Sequence, residues 1–191
     1  MHLDRVGLKV HFREGAGLPL EGFLPVFHRW IQTSALEGGL IDVADYSHMR
    51  GGPGVILVAH EGIYGIDETL GRRGLVYYGR RPEDLGADRV LESVARHVFS
   101  GCVLLEREPE FSGKIGFAAG DLEFFVNDRL RAPNDDTGYK LVEPPLKTLL
   151  ARLYSGATCR LERSGDPRDR LSIRVHGPAD AQASQVLARL R

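Results

Sequence analysis

The chain has little sulfur and no excess charge of either sign. Only two cysteines occur in its 191 residues, Cys102 and Cys159. Neither belongs to a Cys-x-x-Cys pair or a zinc-type spacing, which argues against a metal–sulfur site. Two buried structural thiols in a reducing compartment are expected, with a mutual disulfide left open. Lys and Arg number 25 against 26 Asp and Glu, a formal net charge of −1. That balance lacks the basic surplus of nucleic-acid-binding domains, so nucleic acid is not an expected partner. No run approaches the roughly 20 apolar residues that span a bilayer. The opening stretch Met1-His2-Leu3-Asp4-Arg5 lacks the apolar run of a signal peptide. A cytoplasmic protein without a membrane partner is therefore expected. Heptads and low-complexity segments are missing too.

Glycine, by contrast, is abundant at 23 residues, above the average of about 7%. Apolar residues make up 42% of the chain, enough to build a full core and to exclude a disordered polymer. The glycines punctuate short periodic segments. Val6, Leu8, Val10 and Phe12 alternate with Gly7, Lys9 and His11, the period of a half-buried strand. Phe23, Phe27, Trp30 and Ile31 share one helical face, with Pro25 in the first turn, and Gly38-Gly39 closes that unit. Strands are predicted over 40–46, 55–59, 63–67 and 74–78. A helix follows over 89–99, stopped by Ser100-Gly101, and then a strand from Cys102 to Leu105.

Residues 115–119 and 122–126 read as a hairpin turning over Gly120-Asp121. Pro144-Pro145 is expected to open a helix that ends at Ser155-Gly156. A second hairpin is predicted from 158–161 and 171–175, joined by the charged loop Ser164 to Arg170, and a last helix over 179–190. Short strands separated by glycine turns predict an α+β fold, mostly antiparallel, with three or four helices in a two-layer arrangement.

An internal duplication is suggested by two matches. Glu61–Leu70 resembles Asp121–Leu130, and Val98-Phe99-Ser100-Gly101 resembles Leu153-Tyr154-Ser155-Gly156. After each of these last two segments a short strand is expected to end in Leu-Glu-Arg, at 105–107 and 161–163. The chain is therefore read as a single compact domain over 1–191. Within it are two pseudo-repeats at about 55–108 and 115–163, flanked by an N-terminal strand–helix–strand unit and a C-terminal strand–helix.

Candidate chemistry concentrates in Asp42, Asp45, His48, His60 and Glu61, with Tyr46 nearby. Carboxylates and imidazoles of this kind serve general acid–base or metal-assisted reactions. Strand alternation splits them, however. Asp45 points away from Asp42, and His60 and Glu61 lie at the hairpin end opposite His48. Asp42 stands out because it interrupts an apolar run, where a carboxylate needs a partner. Arg72, Arg73, Arg80 and Arg81, with Arg129 and Arg131 in the corresponding region of the second repeat, form a candidate basic rim for a carboxylate or phosphate. Gly51-Gly52-Pro53-Gly54 reads as a permissive turn, since it lacks the lysine and helix of a P-loop. Trp30 and Tyr77-Tyr78 read as core and strand residues, not a stacking platform. The long polar stretch Asn127–Gly138 exceeds what a hairpin needs, and loops of that length are often functional.

No nucleophile elbow, cofactor motif or metal-ligand spacing is present, so no cofactor or metal is assigned. The leading expectation is a soluble, non-catalytic binding or protein-interaction domain, self-associating through a sheet edge or face or taking a small anionic ligand. The alternative is a small-molecule enzyme built on Asp42, Asp45, His48, His60 and Glu61.

Overall fold

Alternation along β1 (Val6–Glu14) decides where the core lies. Val6, Leu8, Val10 and Phe12 point to one side of an eight-stranded antiparallel sheet, and the helices pack there. The computed structural model describes residues 5–15, 17–49, 52–80 and 86–191. Across the sheet the strands run β2 (Leu40–Tyr46), β3 (Gly54–Ala59), β4 (Gly62–Asp67), β5 (Gly74–Gly79), β1, β6 (Gly116–Val126), β8 (Leu171–His176), β7 (Arg160–Ser164). The helix layer is made of α1 (Phe23–Thr33), α2 (Ala87–Arg107), α3 (Asp136–Leu153) and the short α4 (Ala183–Ala188). This is the expected two-layer α+β architecture.

The chain order contains a regularity. A strand (β1), a helix (α1), a meander (β2–β5) whose last strand returns beside β1, and a helix (α2) make one half. A strand (β6), a helix (α3), a shorter meander (β7–β8) whose last strand returns beside β6, and a helix (α4) make the other. The halves join antiparallel through β1 and β6, with Leu8 opposite Phe124 and Lys9 opposite Glu123. These units differ from segments 55–108 and 115–163, and the two Leu-Glu-Arg triplets fall in unlike elements, one in α2 and one in β7.

Four local expectations are corrected, each for a packing reason. Ser100-Gly101 does not stop a helix, and Cys102–Leu105 is not a strand, because α2 runs unbroken to Arg107. Gly101 is a contact point. A Cβ there would sit 2.8 Å from Leu75 and 3.6 Å from the Tyr64 ring, so the missing side chain lets α2 lie directly on β5. Gly120-Asp121 is not a turn, because β6 is one strand bonded to β1 on one side and β8 on the other. A Cβ on Gly120 would fall 2.0 Å from the Pro178 carbonyl, which marks a close backbone approach.

The third correction concerns α3. It starts at Asp136, with the Asp135 side chain accepting from the Thr137 and Gly138 N–H groups, so Pro144 and Pro145 lie inside the helix. Having no N–H, they leave the Lys140 and Leu141 carbonyls without their usual helical donors. Finally, β1 is not half-buried. Lys9 and His11 on its second face are 0% and 2% exposed. The sheet's helix-free face is lined near its centre by a polar network that shuts out water. Both cysteines are free, Cys102 buried and Cys159 half-buried.

Candidate functional site

The helix-free face is organised in rows across the strands. Ile63, Tyr78, Gly7, Phe125 and Ser172 lie side by side on β4, β5, β1, β6 and β8. Gly7 is the hinge of this row. A Cβ there would lie 2.6 Å from the Tyr78 ring and 3.4 Å from Phe125. Without it, the two rings approach over β1 to a centroid distance of 6.1 Å at 25°. Arg170, at the end of the loop before β8, lies on them. Its guanidinium carbon is 3.9 Å from the Phe125 ring centre and 5.6 Å from that of Tyr78. One terminal nitrogen donates to the Tyr78 hydroxyl at 2.9 Å. Burial pushes the Tyr78 phenol above its ordinary value in spite of this cation. Gly7→Ala is expected to displace the Tyr78 ring and cost about 1–3 kcal/mol by overpacking. Urea unfolding measures the cost, and loss of near-ultraviolet circular dichroism reports the ring.

Three basins meet at Arg170. One, of about 530 Å³, is lined by Arg5, Ile63, Tyr78, Gly79, Arg80 and Asn127. A second, of about 540 Å³, lies over Phe125 and Ser172 and is bordered by Arg129, Arg168 and Asp169. The third, of about 280 Å³, is mostly apolar and runs over Ile56, Ile63, Gly65 and Val76 beside Asp67 and Thr69. Arg5 enters the first basin from a left-handed backbone position, φ 53°, with its carbonyl accepting the Asn127 N–H. Among the described residues, Arg5, Arg80 and Arg129 have no carboxylate within 4.0 Å, whereas Arg168 is held by Asp166 at 2.7 Å.

Beneath the basins lies the buried network. Lys9 Nζ donates to Asp67 at 2.6 Å and to the Thr69 carbonyl at 3.1 Å. The Thr69 hydroxyl donates to the same carboxylate at 2.5 Å. Ser172 donates to Glu123 at 2.8 Å, and the other Glu123 oxygen stands 3.9 Å from His11 Nε2. The His11 Nδ1 atom is buried without a hydrogen-bond partner. Burial, helped by Arg72 and Lys9, lowers the His11 imidazole to about 4. Burial alone would raise the Asp121 carboxyl, but hydrogen bonds from Arg72 and Arg174 overcome it and bring it down to about 2.

No family model, curated protein or solved structure matches this chain.

The first set of candidate residues does not converge. Asp42 is exposed on the edge strand β2, its carboxylate bonded to the Val43 N–H at 2.8 Å, so water meets the need that an apolar surrounding would have created. Asp45 accepts from the Ser47 N–H at 2.8 Å, and hydrogen bonds from Ser47 hold its carboxyl below the ordinary range. His48 is exposed beyond the end of β2, with its ring 6.5 Å from Tyr46. His60 is bonded through its backbone to Gly39, at the opposite end of the hairpin.

Glu61 alone joins a polar cluster. Its carboxylate is 3.4 Å from His97 Nε2, and His97 Nδ1 is 2.9 Å from the Tyr64 hydroxyl. Tyr77 stacks on the imidazole at 4.5 Å. Both ring nitrogens are occupied within the fold, so His97 ties the β3–β4 turn to α2. Among the described residues, no group of three or more His, Cys, Asp or Glu side chains can hold a metal, and no helix is long and apolar enough to cross a membrane.

The arginine rim divides. Arg72 pairs with Asp121, and Arg73 pairs with Glu68 and the Leu18 carbonyl. Arg131 lies 3.8 Å from Asp128. Arg80 and Arg129 line the basins on either side of Arg170. Arg81 lies outside the described residues, as do Arg50 and Gly51 of the glycine-rich turn. Arg5 and Arg170 escaped the sequence reading, and Tyr78, expected as an ordinary strand residue, supports a stacked cation. The signal for Arg170 was present, because Arg170, Ser172 and Arg174 alternate with Leu171, Ile173 and Val175.

Proposed function

We propose that this chain is a binding module whose helix-free sheet face takes a small organic anion. The observation that carries the reading is the basin lined by Arg5, Arg80 and Arg170, which no carboxylate lines among the described residues. Arginine forks there can meet a carboxylate or phosphate bidentately, while Ile63 and Tyr78 contact the rest of the molecule. Stacking on Phe125 and the bond to Tyr78 hold the Arg170 guanidinium in one orientation before a ligand arrives, which cuts the entropy lost on binding. The separation of Asp42, Asp45, His48, His60 and Glu61 gives the enzymatic alternative no comparable support. The β2 edge and the turn after it expose Ile41, Tyr46 and Met49.

The test is titration calorimetry with benzoate and phenyl phosphate. Arg170→Ala is expected to weaken binding at least ~10-fold, about 1.4 kcal/mol, while far-ultraviolet circular dichroism shows the fold retained. No binding by the native protein, or equal binding by the variant, would overturn the reading.

A further inference from the structure

The arginine basin and the small apolar basin share Ile63, Tyr78 and Arg170, so they adjoin as a trench with unlike ends. One end is cationic. The other has a floor of Ile56, Ile63, Gly65 and Val76, with Asp67 already engaged by Lys9 and Thr69. We infer that the ligand is an anionic amphiphile, with its acidic head between Arg5, Arg80 and Arg170 and a short apolar chain lying over Gly65. This rests on the anion-binding reading and adds the chemistry of the ligand's other end.

Gly65 sets the room available. Its neighbours on the same face, Ile56 on β3 and Val76 on β5, present methyl groups 3.4 Å from where a Cβ would stand, and no positive φ demands glycine. A Cβ there would stand in ordinary van der Waals contact, 3.6 Å from the Pro53 carbonyl as well, yet the position carries none. The hydrogen atom there leaves a groove of about 280 Å³, near the lower limit of small-molecule pockets. A larger side chain would fill the groove and leave the arginines untouched. Gly65 is thus a specificity-determining position for chain length. The trench suits carboxylate and phosphate heads alike, because both accept the guanidinium fork.

The test compares butanoate, octanoate, octyl phosphate and the uncharged octanamide by calorimetry. Each added methylene that leaves water tightens binding by up to about fourfold. Octanoate is therefore expected to bind at least ~10-fold more tightly than butanoate, and octanamide at least ~10-fold more weakly than octanoate. Gly65→Leu should erase the octanoate preference while leaving butanoate binding within about twofold. If that variant does not fold, Ile56→Ser, at a half-buried position on the same floor, should reduce the preference instead.

Octanoate and butanoate binding alike, with benzoate still dependent on Arg170, would overturn this inference and leave the anion-binding reading intact. A preference that survives Gly65→Leu, or Ile56→Ser in its place, would also overturn it. Failure of every anion to bind would remove both. Comparing octyl phosphate with octanoate separates a phosphate from a carboxylate source.

Discussion

Lys9→Met is expected to destabilise the protein by about 3–5 kcal/mol. The ammonium is 0% exposed and donates to Asp67 and to the Thr69 carbonyl. Its stem crosses Gly74, where a Cβ would stand 3.1 Å from Lys9 Cε. Methionine fills nearly the same space, so the packing contribution changes little and the loss reports the stranded carboxylate. Asp67 is itself only 3% exposed and would keep the Thr69 hydroxyl as its only side-chain donor among the described residues. The companion double variant, Lys9→Met with Asp67→Leu, should recover most of the loss, because a buried ion pair replaced by apolar groups is often neutral or better. Urea unfolding of the three proteins decides. A single variant within about 1 kcal/mol of the native protein would show that water reaches the pair.

Acidification is the second large effect. His11 is buried between strands beside Lys9, Arg72, Asp121, Glu123 and Arg174, and its folded value lies at about 4, below the ordinary 6.5. The unfolded chain therefore takes up a proton that the folded chain refuses. The stabilisation is complete above about pH 6.5, declines as pH falls, and is fully lost once pH drops through the folded value of about 4. The loss amounts to about 2 kcal/mol by pH 5 and about 3 kcal/mol by pH 4. His97, also lowered by burial, acts in the same direction. Denaturant melts across this range should show the decline, and His11→Gln should flatten it. A native profile level down to pH 4 would mean that His11 is charged in the fold and paired with Glu123.

Much of the architecture was legible because periodicity reports which residues share a face. The alternation in β1, β4, β5 and β8 and the apolar stripe of α1 translate directly into structure. Periodicity does not report what lies against a face. Lys9 and His11 alternate as solvent-facing residues would, yet they are buried, because the residues that enclose them come from Asp67, Thr69, Arg72 and Glu123, distant in sequence. Glycine was ambiguous for a similar reason. Gly156, at φ 80°, does end a helix, whereas Gly101 and Gly120 are sites of close approach. The sequence symbol is the same, and only the neighbouring atom separates the two. The rim arginines behaved likewise. Arg72 and Arg80 read identically, but Asp121 stands beside the first and an open basin beside the second.

The seam between β1 and β6 bears on how the chain assembles. Every other neighbouring pair in the sheet belongs to one half, while Leu8 meets Phe124 across more than half of the chain. Each half can form its meander from nearby residues, but until the two meet, β1 and β6 each offer an unpaired edge with one strongly apolar side. Long-range pairing of this kind closes slowly, and unpaired edges invite wrong partners in the meantime. Each of these two strands is therefore both part of the core and the other's protection from aggregation. A lesion at the seam would appear first as a loss of soluble yield during refolding, before any change in the stability of molecules that have already closed.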